Sequence, residues 1–550
     1  MHSFLKPIDF AVVAAYLVVL IAIGYWVSFV QKRKSGENLF LAGHSLGWAS
    51  IGFTMWGTNV GPSMLVASAS IGYTTGVVAG NFGWYAFVFI FLLAVVFAPR
   101  YLNARVMTLP EFMGKRFGQS TRNILAWYTL ATILISWLAL TLFAGSILIS
   151  QMLNLKSWIS VIILVAIAAF FTIAGGLKAV AYTNVFQMGL LIAVSLILTV
   201  VTIIKIGSPE VAGDVSQGIL SRLADYRDSF INGVKGLYEK TPSHYWNLFL
   251  PLENKDYPWL AIILGYPIMG VWFWCTDQSM VQSVLGAKSL KHGQLGANFT
   301  GWLKILDVAI FIIPGIACLV LFPDLKDPDE AYMTLVTRLL PAGMTGLVMA
   351  VLIAALISTI DSALNSLSTV FTMDIYVKKF KPDASQQDII KTGRVVTLVG
   401  AIIAIFLTLA IDSIKGLKLF DIFQAILGFI APPMTVVFLF GVLWKKTTTR
   451  AANFALTGGT ILSLGTGLFY LVGVSNGQQF WPHFLMLSFY LFVIIAITTY
   501  IIAIAYPEDA NAEKKTSVLS ALPKPDKKVL ALWILLIVTM TGFYILFNGH

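Results

Sequence analysis

The stretch Ala354–Tyr376, AALISTIDSALNSLSTVFTMDIY, is apolar enough to lie in a bilayer, yet it carries a row of hydroxyls and carboxylates. At about 100° per residue, Ala355, Ser358, Thr359, Asp361, Ser362, Asn365 and Thr369 fall on one side of a helix and apolar residues on the other. A single Ser or Thr in a membrane helix has an ordinary explanation, packing between helices or a bond back to its own turn. Asp361 among them does not, because an ionisable group at membrane depth is costly and marks an ion or substrate path. Oxygen-only ligands on a dry helix suit a small, hard cation.

The surrounding chain is of the same kind. Of 550 residues, 58% are hydrophobic and 11% charged, and the mean hydropathy is +0.82, so the apolar surface can be hidden only in a bilayer. Spans recur from residue 8 to residue 548, about fourteen by the ~20-residue criterion. An all-α polytopic membrane protein is expected. Its net charge of +11 belongs to the loops and is no sign of nucleic acid. Cys275 and Cys318 both lie in spans and say nothing of redox compartment.

The first span, Phe10 to Phe29, has no small-residue cleavage site after it and reads as a retained helix followed by Lys32, Arg33 and Lys34. With those charges inside, alternate loops obey the positive-inside rule: Arg100 to Arg122, Lys178, Lys288 and Lys291, Lys378 to Arg394, Lys445 to Arg450 and Lys514 to Lys528 all fall inside. Both termini are then expected outside, in a cell membrane. The long segment Lys205 to Pro258 falls outside and is expected to form short helices over the outer face.

Two spans carry Gly and Pro at mid-depth, Ser50 to Ile71 through WGTNVGPS and Leu260 to Leu285 through LGYPIMG. A freed backbone there must face a cavity or other protein. Each opens a block of five spans, which is the arrangement of inverted repeats around a midplane site. The expected single transmembrane unit therefore divides into a flanking helix (8–31), a first repeat (46–206), an outer loop (207–258) and a second repeat (259–444). Further flanking helices (450–506), an inner linker (507–528) and a last helix (529–548) complete it.

Five motifs, FLAGHSLGW (40–48), TLPEFMGKRFG (108–118), FWCTDQSMVQSVLGAKS (273–289), LNSLSTVFTMDIY (364–376) and FLFGVLWKK (438–446), resemble the sodium:solute symporter family, nearest its sodium/glucose cotransporter branch. The resemblance runs from about residue 8 to 506. It implies a LeuT-type fold of two inverted five-helix repeats with flanking helices, and sodium-driven uptake of a small solute by alternating access. The main sodium site it implies uses the carbonyls of Gly57, Val60 and Ala355 and the hydroxyls of Ser358 and Thr359.

For a sugar-like solute the matching positions are Asn59, Trp274, Lys304, Asp421 and Gln424, with Phe273 as an inner gate. Two positions depart from such relatives: Gly83 replaces a Glu that grips sugar hydroxyls, and Met64 replaces a polar residue. Asn81 and Tyr85 are the nearby candidates to compensate. Lys304 reads two ways, as a cation facing the solute or as the i+3 partner of Asp307. An uncompensated Lys304 would also suit a sugar acid. The family's second sodium site uses an Asp where this chain has Asn184, in AVAYTNVFQ, while a hydroxyl position has become Asp361. Asn184, Ser358, Asp361 and Ser362 are thus expected to form a second sodium site with its carboxylate moved to the other helix.

A monosaccharide or polyol is the expected solute, a sugar acid or other organic anion the alternative. No cofactor is expected beyond sodium as the coupling ion, and no obligate protein partner. An enzyme would need a nucleophile, base or metal cluster at one depth, and the six histidines are scattered in loops and ends. A transport-inactive solute sensor of the same fold is the competing reading from another class.

Overall fold

The computed structural model describes residues 6–30, 39–153, 156–208, 219–254, 257–412, 419–475, 478, 480–508 and 526–548. The basic run Lys32 to Lys34 and most of the linker 507–528 lie outside them.

In chain order the helices are α1 (Pro7–Val30), α2 (Trp48–Asn59), α3 (Pro62–Thr75), α4 (80–103), α5 (Leu109–Phe117), α6 (119–153) and α7 (Ser157–Gly207). Next come α8 (Ile219–Lys240), α9 (259–276), α10 (Gln278–Leu285), α11 (Leu290–Leu321), α12 (Ala331–Leu339) and α13 (Met344–Phe380). The last are α14 (Gln386–Asp412), α15 (Leu419–Leu443), α16 (Thr449–Ser475), α17 (Phe484–Ala505) and α18 (Lys527–Leu546). Among the described residues, 12 helices are long and apolar enough to cross a membrane, fewer than the expected fourteen. The shortfall has two sources: α2 and α3 are halves of one interrupted helix, and Ser157–Phe170 is a shorter apolar segment ahead of a kink. That kink sits at Gly176, whose φ of 56° and closeness to the Leu39 carbonyl both exclude a side chain.

α13 is the axis of the bundle. Every residue from Val348 to Val370 is buried, hydroxyl and apolar alike, so a helix with one polar side has neighbours on all sides. α7 lies along it, α1 packs against both, and α2 crosses between α11 and α7 to touch it. The N-terminus of α13 is capped from outside its own sequence: Asp9 of α1 accepts from Gly343 N and Gly346 N, both at 2.7 Å. Those are the orphan amides of a helix start, and an anion there is favoured by the helix dipole.

Both five-helix blocks open on an interrupted helix, but the second break is not at LGYPIMG. Gly265 stays helical (φ −87°, ψ −44°) and Pro267 sits in the first turn of the segment Tyr266–Val271, where its missing N–H is harmless. The break falls at Asp277 (φ −81°, ψ 129°), after a π-helical turn at Trp272–Thr276. Asp277 Oδ1 then accepts from Ser279 N at 2.8 Å and Met280 N at 3.2 Å, capping α10.

Between α7 and α9 the described residues hold α8, of 22 residues, which packs on α7, and a short 3-10 helix at Ser243–Trp246. At the opposite end, Arg116 of α5 is buried and donates to the carbonyls of Gly441 (3.1 Å) and Lys445 (3.0 Å), holding the end of α15. Arg122 pairs with buried Asp374 at 2.7 Å beside it.

Candidate functional site

α2 ends because Gly61 and Pro62 divert the backbone amides that would have continued it. Gly61 N turns back to Asn59 O at 3.0 Å, Pro62 has no N–H, and Met64 N goes to Gly61 O at 3.0 Å. In an unbroken helix those three amides would serve the carbonyls of Gly57, Thr58 and Val60. Their diversion leaves polar backbone at mid-helix, and Thr58 O receives a replacement donor, Thr359 Oγ1 of α13, at 3.3 Å. The same hydroxyl lies 3.1 Å from Ala355 O.

Gly57 faces Ser358 so closely that a Cβ on it would stand 2.8 Å from Ser358 Oγ. That oxygen is buried with no hydrogen-bond partner among the described residues. Gly57, Val60, Ala355, Ser358 and Thr359 are therefore brought together across the α2–α13 contact, with hard oxygen donors of the type that sodium or calcium takes.

The four residues expected at a second cation site are divided. Ser362 Oγ lies 2.7 Å from Thr58 Oγ1 and so faces α2. Asp361 faces α7, where Thr172 Oγ1 donates to its Oδ1 at 3.2 Å, while Oδ2 has no partner among the described residues. On the same helix, the Asn184 amide is buried with neither atom partnered among the described residues, and the same is true of Gln187 Oε1. Gln187 Nε2 reaches Tyr16 of α1 at 3.3 Å. Buried polar atoms left without partners are uncommon, and here they gather on the facing sides of α7 and α13.

Beside the α2 break lies a cavity of about 110 Å³. Asn59, Met64, Phe273, Trp274 and Gln424, all expected at the solute site, line it; so does Thr359, whose hydroxyl also borders the oxygen cluster. Its floor is aromatic: Phe273 packs on Trp137 (ring centres 5.1 Å apart) and on Trp274 (5.2 Å). Trp137 Nε1 is spent on Asp277 Oδ2 at 3.0 Å, so the cap of α10 also fixes the floor.

Other expectations fail or fall outside. Asp421 belongs to α15, but its side chain lies outside the described residues. Lys304 does not line the cavity; it is 1% exposed, paired with Asp307 and donating to Asn59 Oδ1 at 2.6 Å. A buried ammonium next to a carboxylate is held there by Coulomb attraction that a cavity-facing rotamer would forfeit. Gly83 does not line the cavity either, since the Asp307 carboxylate fills the space beside it. Asn81 cannot compensate: it donates to Val78 O and Leu248 O and accepts from Tyr544 of α18.

Sequence reasoning missed Trp137 and Tyr266, which line the cavity, and Thr172, Gln187, Tyr16 and Asp277. Of these, only Asp277 left a readable signal, an N-capping residue directly before a helical run.

Residues 39–459 match the family model described as the sodium:solute symporter family. The chain is 34% identical over 478 residues to sodium/myo-inositol cotransporter 2 of Homo sapiens, covering 84% of this chain and 70% of that protein. It is 32% identical over 526 residues to sodium/glucose cotransporter 1 of Mus musculus, covering 90% and 78%. Among solved structures, the substrate-bound outward-open state of a Na+-coupled sialic acid symporter superposes with a TM-score of 0.72 at 18% identity, over 92% of this chain and 99% of that one. At that identity the likeness speaks for the fold.

Proposed function

The chain belongs to the sodium:solute symporter family, and from that premise we propose that it takes up a monosaccharide or polyol by sodium-coupled alternating access. The observation that carries this reading is the meeting of the interrupted α2 with Ser358 and Thr359 of α13, directly beside a solute-sized cavity. Gly57, Val60 and Ala355 would offer carbonyls to sodium, and Ser358 and Thr359 hydroxyls. Of the four residues expected at a second site, Asp361 and Asn184, on the α13–α7 side, would hold a second ion on its way out, while Ser358 and Ser362 face α2. The relatives named for myo-inositol and glucose support the solute class.

The mechanism rests on linkage. Sodium joining α2 to α13 favours the state in which both helices close on it, and Thr359 communicates that closure to the cavity wall. A ligand shifts an equilibrium only by its differential affinity, so solute and sodium strengthen one another's binding by the same factor. Each sodium crossing 100 mV adds about 2.3 kcal/mol, besides its concentration term. Release at low inner sodium then empties the cavity. In this reading the N-terminus is outside and Arg116 and Arg122 lie at the inner end.

The test is uptake of radiolabelled myo-inositol, glucose and related neutral solutes into proteoliposomes, with an inward sodium gradient and with choline replacing sodium. Accumulation should require sodium and be enhanced by a negative inside potential. Binding without uptake would instead identify a solute sensor, and sodium-independent uptake would remove the coupling.

A further inference from the structure

Behind the cavity wall lies a buried ionic cluster that the transport reading leaves unused. Asp307 is 2% exposed and Lys304 1%. Lys304 donates to Asp307 Oδ2, Trp56 Nε1 donates to Asp307 Oδ1 at 2.9 Å, and the Lys304 ammonium stands 5.7 Å from the ring centre of Trp274. Its remaining partner, at 2.6 Å, is Asn59 Oδ1. Asn59 and Trp274 line the cavity, so the ion pair sits one side-chain layer behind its surface.

One consequence is forced by donor and acceptor chemistry. An ammonium has only donors, so the Asn59 oxygen must face it and the amide NH2 must face away. Asp307 also occupies the space beside Gly83, where a Cβ would lie 2.9 Å from Asp307 Oδ2. Among the described residues lining the cavity none is acidic or basic. Among the described residues, the charge of Lys304 behind the wall is cancelled by Asp307.

We propose that Asp307 is the specificity-determining residue of the cavity, withholding the Lys304 ammonium from the solute so that uncharged hydroxylated solutes are accepted and carboxylates rejected. A carboxylate entering here would leave water without meeting a cationic side chain among the described residues of the wall, and that is expensive. A neutral hydroxyl loses less and still receives the Asn59 NH2. The inference rests on the cavity being the solute site. It turns the sugar-acid alternative into a property one residue away.

The test uses the full chain in detergent with saturating sodium, and reads thermal stabilisation by glucose, myo-inositol and glucuronate. The unsubstituted protein should bind a neutral solute at least about tenfold more tightly than glucuronate, the scale of one charge-assisted hydrogen bond. Asp307→Asn should tighten glucuronate binding about tenfold or more. Asp307→Glu should keep the preference for neutral solutes, and adding Lys304→Met to Asp307→Asn should abolish the gain. Equal affinity of the unsubstituted protein for glucose and glucuronate would overturn the proposal without any variant. So would an Asp307→Asn protein that folds and gains nothing for the anion. Failure of every neutral solute to bind in sodium would instead remove the solute-site reading beneath it, and the proposal with it.

Discussion

Replacing Ser358 by Ala should change the protein's stability in opposite senses with and without sodium. Ser358 Oγ is buried, lacks a hydrogen-bond partner among the described residues, and stands beside the bare Cα of Gly57. Without an ion, an unsatisfied buried hydroxyl costs about 1–3 kcal/mol, so Ser358→Ala should leave the sodium-free protein as stable or up to about that much more stable. With sodium, one oxygen ligand is gone. Treated as a charge-assisted bond of about 1.5–3 kcal/mol, its loss weakens sodium binding roughly 10- to 150-fold. At sodium 100 times the original Kd, the original protein gains about 2.7 kcal/mol by mass action. A tenfold weaker variant keeps about 1.4 and a hundredfold weaker one about 0.4 kcal/mol. The two stability curves should therefore cross as sodium rises. The assay is thermal unfolding tracked by tryptophan fluorescence, with NaCl exchanged for choline chloride at constant ionic strength. An unchanged sodium increment in the variant would refute the ligand assignment; an equal loss in both salts would make Ser358 a packing residue.

At Asp361, reversal potentials should report two sodium ions per solute, falling to one in Asp361→Ala; a ratio of one in the unsubstituted protein would remove the second site. Trp137→Phe keeps the packing on Phe273 but takes the donor from buried Asp277 Oδ2. It should cost roughly 1–3 kcal/mol in thermal or denaturant unfolding and lower uptake, and no change in either would show that the bond does not hold the cavity floor.

What could be read from the sequence was set by range. The α2 break was legible because Gly61 and Pro62 act locally, removing amides from the next turn whatever surrounds them. The same logic misplaced the second break: Gly265-x-Pro267 is a helix start in this context, and the interruption belongs to Asp277, whose capping role is equally local but quieter. The hydroxyl row on α13 was visible by periodicity, but not its division. Ser358 and Ser362 meet α2, Asp361 meets Thr172 of α7, and Thr369 meets Gln282 of α10. Lys304 shows the limit most sharply. Its i+3 partner could be named from the sequence, but the decision between pair and ligand depended on Asn59 and Trp56, about 250 residues away in the chain.

The cap that Asp9 places on α13 makes the N-terminal helix a lever arm. Residues 7–30 stand outside both five-helix blocks, yet their N-terminal end is fastened by two hydrogen bonds from backbone amides at the start of the helix that carries Ser358, Thr359 and Asp361. A spin label or fluorophore at Lys6, which is exposed and bonded through its own amide to Asp9, would therefore ride with that helix. Paired with a second label on α8 or α12, it turns the ion-bearing helix into something whose position can be measured in real time, without touching a residue that holds ion or solute.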